Sequence, residues 1–282
     1  MKLGDAQWLE QMYNNRARVP EYAQHFERWA RESEQARSTL PCTLDIAYGP
    51  APGERLDVFP ASKPHSPVLV FIHGGYWRSL DKREHAFVAP AFAPDACVVV
   101  PNYDLCPNIT IPGIVMQMVR ALAWTARHAA EFGGDAHRIT VAGHSAGGHL
   151  AAMLLLCDWR SIDPSLPADL VTRALSISGL YDLEPMRNTP SLQESLQLTP
   201  EQVEQASPAL LPAPAAGRLY SVAGGRESME FLRHNELIRQ AWGTRHVPVC
   251  EALPGLNHFS IVEALAQPGH RLHQLAQELL QS

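Results

Sequence analysis

Nowhere in the 282 residues do apolar side chains run unbroken for the roughly twenty positions that a membrane-spanning helix needs. The opening MKLGDAQWLEQMYNNR carries polar and charged residues throughout, without the apolar stretch of a secretory signal. Long basic runs are missing too. With 23 basic against 29 acidic residues and a net charge of −6, there is no footprint for nucleic acid or an anionic membrane. The five cysteines (Cys42, Cys97, Cys106, Cys157, Cys250) contain no CxxC pair, and they read as reduced packing residues. HExxH and comparable ligand spacings are absent, so neither a metal nor another cofactor is expected. The expectation is a soluble, cytoplasmic protein whose partner is a small molecule; a homodimer is compatible with it.

What is present alternates in period. Residues 5–37 carry Trp8, Leu9, Met12, Tyr13, Tyr22, Phe26 and Trp29 at helical spacing, with Pro20 dividing them into two helices. Most of these aromatics fit a packed helix face, with Trp8 and Tyr13 the ones expected to reach a ligand. Residues 43–48 and 55–59 form a hairpin pattern around GPAPGE. Short apolar runs at 67–72 and 96–101 have the character of strands buried on both faces. Further strands are expected at 138–142, 171–178, 218–223 and 247–253. Helices are expected at 114–132, 147–157, 229–242 and 261–280. Strands alternating with helices predict a mostly parallel eight-stranded sheet covered on both faces. One domain over 1–282 is expected, with a helical cap segment at 1–40 and a cap-like insertion at 182–207.

The sharpest local signal is Gly143-His144-Ser145-Ala146-Gly147, which follows the strand RITVA and opens an apolar helix. A tight strand-to-helix turn lifts the central side chain above the sheet, and the helix behind it offers unpaired N–H groups to developing negative charge. Ser145 is therefore the expected nucleophile. His73-Gly74-Gly75-Tyr76-Trp77 directly follows PVLVFI, 72 residues before Ser145. Glycines there let backbone N–H donors approach an oxyanion, each worth roughly 3 to 4 kcal/mol when removed. The donors expected are Gly74, Gly75 and Tyr76, with Ala146 from the serine turn. His73 is expected to orient this loop through hydrogen bonds. Tyr76, Trp77, His144, Trp8 and Tyr13 are expected to face the substrate.

Thirteen histidines compete for the role of base. His258 lies in PGLNHF between the last strand and the closing helix pattern, where the order serine, acid, histidine places it. His270 and His273 fall inside that helix pattern and are expected to be solvated. The acid should follow the strand RLYSVA, in Gly224-Gly225-Arg226-Glu227. Glu227 is preferred there, with Asp182 after the preceding strand as the alternative and Glu230 read as solvated. The carboxylate would fix the imidazole tautomer without taking the proton.

Together, HGGYW, GHSAGGH, ISGLYDLEP, GGRESMEF and GLNHFSIVE resemble the kynurenine formamidase (arylformamidase) branch of the α/β-hydrolases, beside the hormone-sensitive-lipase-like esterases. The resemblance runs from QMYNNRARVP to the last helix. It implies a Ser145–Glu227–His258 triad and hydrolysis of an aryl formamide such as N-formylkynurenine. Two departures stand out: Tyr76 where lipase-like relatives usually have a third glycine, and Glu where many have Asp as the acid. A carboxylesterase for short acyl esters and a non-catalytic binding protein are the competing readings.

Overall fold

The computed structural model describes residues 5–93 and 95–282, so the first four residues of the expected cap segment lie outside the described residues. Eight strands form one sheet: β1 (Thr43–Ala47), β2 (Arg55–Phe59), β3 (Ser66–Ile72), β4 (Cys97–Pro101), β5 (Gly134–His144), β6 (Arg173–Ile177), β7 (Arg218–Gly224) and β8 (Val249–Leu253). Their spatial order is β1-β2-β4-β3-β5-β6-β7-β8. β2 runs antiparallel to both β1 and β4, and every pairing from β4 across to β8 is parallel.

The apolar run of β3 shows why the sheet is covered on both faces. Val68, Val70 and Ile72 point into one core cluster, while Leu69 and Phe71 point into the other. Side chains alternate along a strand, so a strand buried on both sides has no polar face to show. Helices Ile111–His128, Ala146–Leu155 and Met229–His246 cover the first face through Met118, Leu150 and Ile238. Helices Tyr22–Thr39 and Arg271–Gln281 cover the second through Trp29 and Leu275. Each such buried aliphatic side chain contributes about 1.5–3 kcal/mol.

The chain order reverses between β3 and β5. After β3 it turns to β4 on one side, then crosses over to β5 on the other, leaving Ile72 paired with Gly143. The loops leaving β3 and β5 therefore diverge from adjacent strand ends, and a crevice opens between them.

Three expectations need correction. The N-terminal segment has three helices rather than two: Ala6–Tyr13, Asn15–Arg18 and Tyr22–Thr39. Asn14 makes the extra break, because its side chain accepts from the Ala17 N–H and so starts a new helix. The closing segment is two helices, Ser260–Leu265 and Arg271–Gln281, since Pro268 and Gly269 (φ +86°) interrupt it and His270 caps the second. His273 is buried rather than solvated: its Nδ1 donates to the Leu265 carbonyl at 3.0 Å and its ring stacks on Phe92. Among the described residues, no helix is long and apolar enough to cross a membrane.

Candidate active site

Ser145 sits at φ 56°, ψ −115°, between the end of β5 and the helix that begins at Ala146. This is a strained backbone conformation for a residue with a Cβ, and the surroundings hold it there. The Ser145 N–H donates to the Ile177 carbonyl on β6 at 2.7 Å. Two residues on, a Cβ at Gly147 would lie 2.0 Å from the Ile72 carbonyl oxygen, so only glycine lets the helix start so close to β3.

His258, in the loop after β8, places Nε2 3.1 Å from Ser145 Oγ and Nδ1 2.6 Å from Glu227 Oε2. The carboxylate can only accept, so Nδ1 carries the proton and Nε2 is free to take one from the serine. All three side chains are buried. The second Glu227 oxygen accepts from the Ser178 hydroxyl at 2.5 Å and from the Gly224 N–H at 2.6 Å. Ser178 is the residue the sequence reading missed. It sits just past β6 with φ +54°, a second strand end held in the left-handed region. Asp182 is elsewhere: one oxygen accepts from the Glu184 N–H at 3.1 Å and the other lies 3.7 Å from Arg233.

The loop after β3 folds back on itself in the left-handed region, with φ +107° at Gly75, +50° at Tyr76 and +54° at Trp77. The Gly75 carbonyl accepts from the N–H groups of Arg78 and Ser79, both at 3.1 Å. The N–H groups of Gly74, Gly75 and Tyr76 find no acceptor among the described residues. His73 braces the loop as expected: Nδ1 donates to the Gly74 carbonyl at 2.8 Å, and the ring stacks on Tyr103 at 4.2 Å.

A cavity of about 370 Å³ stands over Ser145 and His258. Tyr76, His144 and Tyr13 line it, together with Phe26, Trp29 and Phe259. Two expected substrate-facing residues do not reach it. Trp77 is fully buried and meets His149 edge-on at 5.0 Å, because the left-handed turn at Tyr76 and Trp77 sends the indole into the core. Trp8 packs on the same core cluster from the outer helix. His144 has a second task, donating from Nε2 to the His258 carbonyl at 2.8 Å. Burial, with His258 close by, holds its pKa well below the usual histidine value, so the ring is neutral.

Glu230, read as solvated, is instead buried. It accepts from the Tyr13 hydroxyl at 2.6 Å and pairs with Arg233 at 2.9 Å. The same hydroxyl accepts from His234 Nε2 at 2.9 Å, since His234 Nδ1 is occupied as acceptor for the Tyr181 N–H. This buried network moors the N-terminal helix to helix Met229–His246.

A family model described as the alpha/beta hydrolase fold matches residues 69–230, more than half of the chain. The chain belongs to the α/β-hydrolase family. Within this family it falls in the kynurenine-formamidase-like branch. It is 32% identical to a kynurenine formamidase of Danio rerio over 257 residues, covering 88% of this chain and 85% of that one. It is also 27% identical to a kynurenine formamidase of Drosophila melanogaster, covering 86% of this chain and 84% of the relative. Among solved structures, a Silicibacter sp. TM1040 protein named "putative thioesterase" aligns with a TM-score of 0.83 at 29% identity, over 95% of this chain and 98% of its own. An esterase of Pyrobaculum calidifontis shares the fold, with a TM-score of 0.69 at 20% identity over 91% and 89% of the two chains. This α/β-hydrolase is therefore an enzyme that hydrolyses its substrate.

Proposed function

We propose that the protein is a serine hydrolase that cleaves aryl formamides of the N-formylkynurenine kind through a formyl-enzyme on Ser145. The observation that carries this reading is the hydrogen-bonded chain Ser145–His258–Glu227, with links of 3.1 and 2.6 Å, in a chain whose relatives include kynurenine formamidases. Ser145 Oγ attacks the formyl carbon as His258 Nε2 takes its proton. The oxyanion accepts from the N–H groups of Gly74, Gly75, Tyr76 and Ala146. Collapse breaks the C–N bond, and the arylamine leaves with the proton from His258. Water, deprotonated by His258, then attacks the formyl ester and releases formate. Throughout, Glu227 stays ionised and stabilises the imidazolium.

The cavity falls at the small end of ligand pockets, which suits one aromatic ring and a one-carbon acyl group. Three of its aromatic walls, Tyr13, Phe26 and Trp29, are contributed by the N-terminal helices, which we read, with the insertion at 182–207, as cap pieces of a single domain. A second reading is favoured by one observation: an esterase of Mycobacterium tuberculosis, LipQ, is 35% identical over 162 residues, 52% of this chain and 37% of that one. Activity on short acyl esters is the alternative that observation supports.

Steady-state kinetics on N-formylkynurenine, formanilide and p-nitrophenyl esters of rising acyl length test the choice. The expected result is the highest kcat/KM on a formamide and a fall in rate beyond acetyl. Rates that climb from acetate to butyrate, with formamides untouched, would overturn the formamidase reading in favour of the esterase.

A further inference from the structure

Two opposite charges line the cavity wall side by side without pairing. Arg78 follows the loop after β3; its Nη1 donates to the Ser191 carbonyl and, at 3.0 Å, to Ser195 Oγ. Glu10, in the outer helix Ala6–Tyr13, accepts the Ser191 N–H at 3.2 Å. A single residue of the cap insertion therefore has its carbonyl taken by the cation and its N–H taken by the anion. The two side chains flank one residue, Ser191, on successive peptide units, yet among the described residues neither forms an ion pair with the other or with any third charge. Arg16 is a second cation on the same cavity, but its guanidinium already lies over the rings of Tyr22 and Phe26, 5.5 Å from each centroid.

A neighbouring plus and minus, held apart by the same backbone and turned to one cavity, complement a ligand that carries minus and plus at similar spacing. An α-amino acid is such a ligand. We propose that Arg78 and Glu10 form a subsite for an amino-acid head group: Arg78 takes the α-carboxylate with its remaining guanidinium N–H groups, and Glu10 takes the α-ammonium. The inference rests on the formamidase reading and narrows it to aryl formamides that carry such a head. Planar, two-pronged donation is what a guanidinium offers a carboxylate. Binding energy gained there, away from the formyl carbon, serves to orient the amide over Ser145.

Arg78 also braces the cap, so the test must separate substrate recognition from bracing. The measured quantity is the ratio of kcat/KM on N-formyl-L-kynurenine to that on formanilide, which has the aryl formamide but no head group. In Arg78→Met the ratio is expected to fall by about tenfold or more, mainly through KM, with Arg78→Lys recovering part of it. Glu10→Gln is expected to lower the ratio by a smaller factor. An unchanged ratio, with both substrates losing equally, would mean that Arg78 only braces the cap, and the subsite falls while the formamidase reading stands. Wild-type enzyme that cleaves p-nitrophenyl acetate but neither formamide would sink both. If the variants do not fold, wild-type enzyme decides: L-kynurenine should inhibit p-nitrophenyl acetate hydrolysis at least about ten times more tightly than its methyl ester. Equal inhibition by the two compounds overturns the subsite.

Discussion

The hydroxyl of Tyr76 donates to the backbone carbonyl of Tyr13 at 2.8 Å and accepts from Asn15 Nδ2 at 3.3 Å. A residue of the loop after β3 is thus anchored on the N-terminal helices. The anchor matters because Tyr76 sits at φ +50°, a conformation that costs a residue with a Cβ about 1–2 kcal/mol and needs outside support. Tyr76→Phe keeps the ring and removes the anchor. The expected outcome is a drop in kcat of about tenfold with KM little changed, because donors that stabilise the oxyanion act on the transition state. A wild-type kcat in that variant would show that the hydroxyl does not position the loop.

The acid assignment separates two carboxylates by geometry. Glu227 contacts His258 directly, whereas Asp182 faces the Glu184 N–H and Arg233. Glu227→Ala is expected to lower kcat by roughly two to four orders of magnitude, because His258 loses both its tautomer and its orientation. Asp182→Ala should stay within about threefold of wild type. Labelling by a fluorophosphonate probe should persist in both and vanish in Ser145→Ala. The reverse ranking of the two carboxylates would require another acid.

Much of this site was legible because its signals are local. The turn at Ser145, the glycines after β3 and the loop carrying His258 each occupy a fixed place at a strand end, and strand alternation is written in β-branched runs. Ser178 carried no such mark. Its bond to Glu227 exists only because β6 and β7 lie side by side. Glu230 has the character of a solvated helix residue until the N-terminal helix arrives and delivers Tyr13 to it. Trp77 resembled a pocket residue because aromatics beside an active site usually are, but its side-chain direction is set by two successive left-handed residues that spacing does not reveal. The break at Pro268-Gly269 was different: the local turn signal was present, and the helical periodicity on either side outweighed it.

Stability should fall steeply with acid. Burial depresses the pKa of His73, His144 and His234, takes His149 to about 4 and takes His85 to about 3. In the unfolded chain each ring titrates near 6.5, so below that pH the unfolded state binds protons that the folded state refuses. The stabilisation is therefore complete above about pH 6.5 and is lost as pH falls from there towards the folded values. Each ring contributes up to about 1.4 kcal/mol per pH unit within that window. Urea unfolding at pH 7.5 and 5.5 checks this, with a loss of several kcal/mol expected at the lower pH. Equal urea midpoints at the two pH values would show that the rings take up protons without unfolding.

Gly75 and Gly243 both have positive φ, +107° and +75°, but their surroundings differ, and that difference makes a paired prediction. A Cβ at Gly75 would lie 2.0 Å from the Ser79 carbonyl oxygen, which belongs to backbone and cannot swing aside. At Gly243, where helix Met229–His246 is interrupted, nothing lies within 4 Å. Gly243→Ala therefore carries only the backbone cost, about 1–3 kcal/mol of stability, and should leave kcat/KM near wild type. Gly75→Ala carries that cost and also forces the loop to move, which displaces N–H groups from the crevice over Ser145. Its kcat should fall by about a hundredfold or more, the loss expected when an oxyanion donor is removed. Thermal melts of the two variants control for unfolding. Comparable kcat in both would mean that the loop tolerates the shift and that its N–H groups are not the donors.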